Sequence, residues 1–182
     1  MAAKFSATVT QLDAGVVYEL AGVVDENSGL ASVTGADAAK PLLVDTSGIS
    51  RINSFGVRDW VTWITKIETQ VPALALCECP PGFVAQLGMV RNFIGTRATV
   101  CSVQAPFLCD ACGVEKLVRV PYARFTDPKV VESFKCEACT GSMVFDDIAE
   151  SYFGFGASVK PPVQTLAALF DAWEARKFSR AA

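Results

Sequence analysis

Apolar and polar residues alternate near the start of the chain in the way that β-strands require. The alternation covers residues 5–9, and a β-prone apolar run at 16–20 follows an Asp-Ala-Gly turn. Successive side chains of a strand point to opposite faces, so the pattern predicts a hairpin of two strands, residues 4–12 and 15–24. Serine, threonine and glycine then interrupt residues 26–40, which favours at most a short or irregular helix there.

The pattern next changes to short apolar runs separated by helical stripes. The apolar runs predict strands at 42–44, 73–77 and 99–103. Between the first two, residues 54–68 carry the stripe of an amphipathic helix, formed by Val57, Trp60, Val61, Ile64 and Ile67. A second helical face follows, formed by Phe83, Leu87, Val90 and Ile94. Strands that alternate with helices are typical of the α/β class, with right-handed crossovers onto a partly parallel sheet.

The second half of the chain contains two Cys-x-x-Cys pairs, formed by Cys109, Cys112, Cys136 and Cys139. Each pair is followed by a small turn residue and lies near β-prone sequence. Four thiolates at such spacing can surround Zn²⁺ at about 2.3 Å per bond, which predicts a zinc ribbon over residues 106–160. With four protein ligands the zinc has no open position, so we expect it to be structural. Iron, as in rubredoxins, is the alternative metal, and disulfides are disfavoured in a reducing cytosol.

The remaining cysteines and the last apolar stripe are expected to pack. Cys77 and Cys101 lie in predicted strands and Cys79 lies just after one. All three are expected to be small buried residues, with a second metal or redox site as the weaker alternative. Residues 161–182 are predicted to form an amphipathic helix whose apolar face contains Leu166, Leu169, Phe170 and Trp173. This face is expected to pack on the first sheet, on the ribbon or on a second copy of the chain. A homo-oligomer is therefore one of the alternatives.

Composition narrows the classes of function. With 182 residues, 51% of them hydrophobic, the chain can bury a core, and length alone permits one domain or two small ones. The net charge of −3 is spread evenly over both halves, which disfavours nucleic acid and anionic membranes as partners. There is no histidine, which excludes Ser-His, Cys-His and His-metal chemistry, and we expect no enzymatic activity. The absence of a signal-like or membrane-spanning apolar run predicts a cytoplasmic protein.

One stretch, residues 42–56, runs from a buried strand through a turn-forming loop into a helix. The strand stops at Asp45, and Asn53 and Ser54 are good N-cap residues. A helix N-terminus favours negative charge, so the fold would accept a phosphate on Ser54. To a docking partner, the same phosphate would add about −1.5 to −2 of charge. Ser54 is therefore a candidate for a phosphorylation switch, and the alternative is that it only caps the helix.

The same stretch resembles the STAS domain of anti-sigma factor antagonists. The signature of that family is a strand ending in Asp, a short loop, and Asp-Ser-x-Gly opening a helix. The residues in register are Asp45, Ile49, Ile52, Asn53, Ser54 and Gly56, with Asn53 where the family usually has Asp. Residues 22–25 also resemble the end of the second STAS strand. The resemblance covers about residues 4–105 and implies a STAS-like mixed sheet with helices packed on it.

The resemblance also implies a function, which is bacterial partner switching. A kinase, anti-sigma factor or scaffold would bind the unmodified protein, and phosphorylation of Ser54 would release it. The contact residues expected on this basis are Asp45, Asn53, Ser54, Phe55 and Gly56, with an exposed Trp63 as a hot spot. The predicted organisation is a STAS-like domain (1–105), a zinc ribbon (106–160) and a C-terminal helix (161–182). The alternatives are a scaffolding STAS module without a switch, and a zinc-ribbon accessory protein of transcription or nucleic-acid binding.

Overall fold

The computed structural model describes residues 3–179 and begins with the predicted hairpin. Strand β1 (Ser6–Leu12) pairs antiparallel with β2 (Gly15–Val24) along its whole length. The next segment contains a single 3-10 turn, Leu30–Ser32, as its poor helix-forming composition predicted. The first two strands and the irregular segment are therefore confirmed.

The alternating strands and helices complete a five-stranded sheet. In chain order they are β3 (Leu42–Ile52), α1 (Ser54–Ile67), β4 (Leu74–Cys77), α2 (Pro81–Met89) and β5 (Thr99–Val100). The strand order is β1-β2-β3-β4-β5, and every pair after the hairpin is parallel. The first sheet thus has the predicted mixed α/β organisation.

Two elements differ in length from the predictions. Strand β3 continues to Ile52 because residues beyond Asp45 still pair with β2, although their composition is typical of a turn. Helix α2 ends at Met89 rather than near Ile94, because Val90 is extended and Asn92 has a left-handed φ of 60°. The C-terminal ends of β3 and α2 were therefore predicted wrongly from local composition.

The second sheet is antiparallel and contains the cysteine pairs. Its strands are β6 (Ser102–Cys109), β7 (Glu115–Pro121), β8 (Phe134–Lys135) and β9 (Ser142–Phe145), in the order β7-β6-β9-β8. The predicted fifth strand at 99–103 is split, because β5 belongs to the first sheet and β6 to the second. A bridge between Cys79 and Val103 joins the sheets, and one hydrophobic core runs through both.

The C-terminal helix of the described residues lies on the first sheet. After the short helix α3 (Ala149–Tyr152) and a 3-10 turn at Gly154–Ser158, helix α4 (Gln164–Ser179) crosses the face of the sheet opposite α1. It buries Leu166, Leu169 and Trp173 against that face, which includes Val17, Leu43, Ala75 and Cys77. The helix was expected to pack on the first sheet, on the ribbon or on a second copy of the chain, and in the structure it packs on the first sheet. Among residues 3–179, no helix is both long and apolar enough to cross a membrane.

Candidate metal centre and partner surface

The four cysteines of the two pairs meet at one end of the second sheet. Cys109 ends β6 and Cys112 lies in the next turn, while Cys136 and Cys139 lie between β8 and β9. All four sulfur atoms lie within 4.8 Å of one another, with 3.5 Å between Cys109 and Cys139 and 3.9 Å between Cys112 and Cys136. A disulfide requires about 2.05 Å, whereas a tetrahedron with 2.3 Å metal–sulfur bonds has edges of about 3.8 Å. The group is therefore a site that could bind a metal ion.

Backbone groups and neighbouring thiols set the acidity of this site. N–H groups of Cys112 and Ala111 lower the pKa of the Cys109 thiol to about 6. The Gly141 N–H, 3.3 Å from Cys139 Sγ, lowers the pKa of Cys139, but hydrogen bonds with the Cys112 and Cys109 thiols outweigh it and raise that pKa to about 12. The Cys109 thiolate therefore forms easily, whereas ionisation of the Cys139 thiol needs a cation that offsets the repulsion between neighbouring thiolates.

Close packing of the two turns brings the cysteines together. A Cβ atom on Gly141 would lie 2.6 Å from the Ala111 Cβ and 2.7 Å from Asp110 Oδ1. That same Asp110 oxygen accepts the Ser142 N–H at 2.8 Å, which ties the first turn to the second. Only glycine fits at position 141, so the small residue after the second cysteine pair has a steric cause.

The other three cysteines are buried in the core, as their positions in apolar strands predicted. Cys77 and Cys79 are fully buried and Cys101 is nearly so. Burial raises the pKa of both Cys79 and Cys101 to about 12. They therefore stay as thiols and pack as small apolar side chains.

The start of α1 forms an exposed surface next to the end of β3. Asn53 is the N-cap, and its Oδ1 accepts the Gly56 N–H at 2.8 Å. Ser54 is the first helical residue and is exposed, so it is not the cap, which corrects the alternative role considered for it. Phe55 is 55% exposed, with the Arg58 guanidinium 5.5 Å from its ring centre. Ser54 and Phe55 are the accessible residues of the predicted contact set.

Gly56 and Trp63 face the interior instead. A Cβ on Gly56 would lie 2.0 Å from the Val24 carbonyl oxygen, so this glycine allows the helix to start against the end of β2. Trp63 is 4% exposed, packs 5.3 Å from the Trp60 ring and donates its indole N–H to the Val33 carbonyl at 3.3 Å. The prediction of an exposed Trp63 is wrong, because the irregular segment before β3 covers that flank of the helix.

Asp45 lies beneath α4 rather than at the surface. The residue is 3% exposed, and its Oδ1 accepts the Ser47 N–H at 2.9 Å. Its Oδ2 pairs with Lys177 Nζ at 2.8 Å, and Lys177 also donates to Ser47 Oγ at 2.9 Å. This corrects the expectation that Asp45 contacts a partner, because α4 covers the carboxylate and Lys177 of that helix already pairs with it.

A second buried carboxylate, Glu78, has no counterpart in the sequence predictions. It follows β4 with a left-handed φ of 54° and is 6% exposed. Ser102 Oγ donates to Glu78 Oε1 at 2.8 Å, and Arg119 lies 3.8 Å away while it also pairs with Glu174 of α4. Burial raises the pKa of the Glu78 carboxyl. The only sequence signal was a charged residue between two cysteines at the end of an apolar run.

Comparison of the chain with protein-family models, with curated proteins and with solved structures finds no significant match. The four-cysteine centre and the exposed start of α1 are therefore the two features of the chain that bear on its function.

Proposed function

We propose that the protein is a non-enzymatic interaction protein of the STAS type, which binds a protein partner through the exposed start of α1. The observation that carries the proposal is Phe55, whose ring is 55% exposed directly beside Ser54. Exposed aromatic residues contribute disproportionately to binding energy when a partner buries them. A kinase, an anti-sigma factor or a scaffold is the kind of partner that the resemblance implies.

The position of Ser54 supports control by phosphorylation. Asn53 already caps the helix, so the fold does not depend on the Ser54 hydroxyl. A phosphate on the first helical residue would lie near free N–H groups and the positive end of the helix dipole. It would also lie one helical turn from Arg58, which now covers the Phe55 ring, and would compete for that cation. Phosphorylation would therefore change the charge and the shape of the contact surface while α1 stays folded.

Zn²⁺ is the metal that we assign to the four-cysteine site. Four thiolate ligands whose sulfur atoms lie within 4.8 Å of one another suit tetrahedral zinc, and such a closed site leaves no coordination position for a substrate. Cys109, Cys112, Cys136 and Cys139 would hold the ion, which would stabilise the end of the second sheet. Metal analysis of the purified protein should find about one zinc per chain, and a coloured protein with one iron per chain would contradict the assignment.

Site-specific photo-crosslinking tests the partner surface. With a benzoylphenylalanine at position 55, irradiation in an extract of the source organism should capture one dominant protein. The matched control carries the same group at Val163, which is 54% exposed outside the proposed surface. Equal capture by both positions, or none by position 55, would contradict the proposed surface.

A further inference from the structure

Strand β3 is much longer than the strand beside it, which leaves part of its edge unpaired. It pairs with β2 along its length but with β4 only from Leu42 to Asp45. Within residues 3–179, no second strand pairs with residues 46–52 of β3. Alternate residues of a strand direct their backbone N–H and C=O groups to opposite sides, so about half of these groups point away from β2.

This unpaired edge opens into a groove between the two sheets. Residues 47–52 all line a cavity of about 610 Å³. Because side chains alternate between the two faces of a strand, a strand that presents a face contributes every second residue, whereas an edge contributes consecutive ones. The cavity is also lined by Pro106 of β6 and by Leu117 of β7, a residue that is 52% exposed. The polar residues Gln104, Glu115, Lys116 and Asp146 line it as well. The groove therefore combines backbone polar groups of β3 with a wall that contains both apolar and charged side chains.

An extended polypeptide is the ligand that fits both walls. Its own backbone supplies alternating donors and acceptors at strand spacing, and every second side chain can reach the wall that contains Leu117. The register between β2 and β3 shifts twice in this region. A strand of a second folded copy is held by its own sheet and cannot adjust to these shifts, whereas a separate extended segment can adjust its backbone to them. Such irregularities protect an edge against simple strand-to-strand association, so a ligand must also gain energy from side chains that fill the groove.

We propose that this groove binds an extended segment of a partner protein, which adds as a strand to residues 48–52 of β3 and packs an apolar side chain on Leu117. The proposal goes beyond the partner surface at the start of α1 and does not depend on Ser54. The two regions are adjacent, since Ile52 is followed directly by the cap of α1. One partner can therefore use both.

The test uses the full chain and a defined peptide. A random 12-residue peptide library is selected on the immobilised protein, and the best peptide is synthesised for titration and NMR. We expect intermolecular contacts between the peptide backbone and the amides of residues 48–52, and slower exchange of those amides on binding. Selection without a binder, or a bound peptide that leaves these amides unprotected, overturns the proposal.

Two comparisons separate strand addition from other modes of docking. Leu117→Glu should weaken binding at least tenfold, and Leu117→Ser gives the same comparison with a smaller perturbation. The control Val144→Glu changes a residue that is 40% exposed on β9 and does not line the groove, and it should bind normally. N-methylation of every second peptide amide should weaken binding at least tenfold in one register and little in the other. Equal effects in both registers, or no effect in either, would contradict strand addition, in which only alternate peptide amides pair with β3.

Discussion

At the scale of single residues, Asn53 and Ser54 have separate roles at the start of α1. Asn53 accepts the Gly56 N–H and donates to Glu26 at 3.0 Å, so it fixes the helix start. Asn53→Ala should lower the free energy of unfolding by about 1 kcal/mol, whereas Ser54→Ala should change it by less than about 0.5 kcal/mol. Chemical denaturation of the two variants measures this difference. Equal losses would show that Ser54 also caps the helix.

Glu78 gives a pH dependence of stability with a defined sign. Burial raises its pKa above the ordinary value of 4.5, so the folded protein binds this proton more tightly than the unfolded chain does. The contribution of Glu78 is therefore most favourable below pH 4.5 and declines as the pH rises through the folded pKa. Glu78→Gln should lose this decline, measured by urea denaturation from about pH 4 to about pH 8. The control Asp13→Asn, in an exposed turn, should keep the wild-type profile.

Gly141 provides a steric test of the metal centre. An added methyl group would collide with both Ala111 and Asp110, so the second cysteine pair would have to move. Gly141→Ala should weaken metal binding about 10- to 100-fold, the usual range for residues that orient metal ligands. Competition with a chromogenic chelator measures the affinity. The control Gly88→Ala has open space around the new methyl group and should bind metal normally.

At the scale of elements, α4 is held to the first sheet by apolar contacts and by the ion pair between Lys177 and the buried Asp45. Lys177→Met should lower the free energy of unfolding by about 2 kcal/mol, because Asp45 would stay buried without its cation. The partial exposure of Lys177 keeps this value below that of a fully buried pair. Thermal denaturation compares it with Arg176→Met, an exposed neighbour on the same helix. Similar losses in both variants would show that the Asp45 contact contributes little.

The sequence predicted the helices and strands better than it predicted the contacts between distant parts of the chain. Helix α1 and strand β4 lie within about one residue of their predicted limits, because hydrophobic periodicity is a local signal. The two cysteine pairs come together as predicted, because the spacing of metal ligands can also be read from short stretches of sequence. The burial of Trp63 depends on an irregular segment that no periodic pattern places. The contact of Asp45 with Lys177 joins positions 132 residues apart, which hydrophobic patterning cannot detect. The parts of the site that were missed are therefore those fixed by long-range packing.

At the scale of the whole molecule, the two sheets share one hydrophobic core. The predicted boundary after residue 105 lies inside β6, and core residues of both sheets belong to the same cluster. Removal of the metal should therefore lower the melting temperature of the entire chain in a single transition. Calorimetry with and without a chelator, and of Cys112→Ser, tests this. Two separated transitions, with the first sheet unchanged, would indicate independently folding units.

We propose that a protein partner binds at the start of α1 and that charge on Ser54 controls this binding. The most direct measurement is a calorimetric titration of the captured partner into wild type, Ser54→Asp and Ser54→Ala. We expect similar affinity for wild type and Ser54→Ala, and at least tenfold weaker binding by Ser54→Asp, with α1 intact by circular dichroism. Equal affinity of all three proteins would contradict the switch and favour a constitutive scaffold.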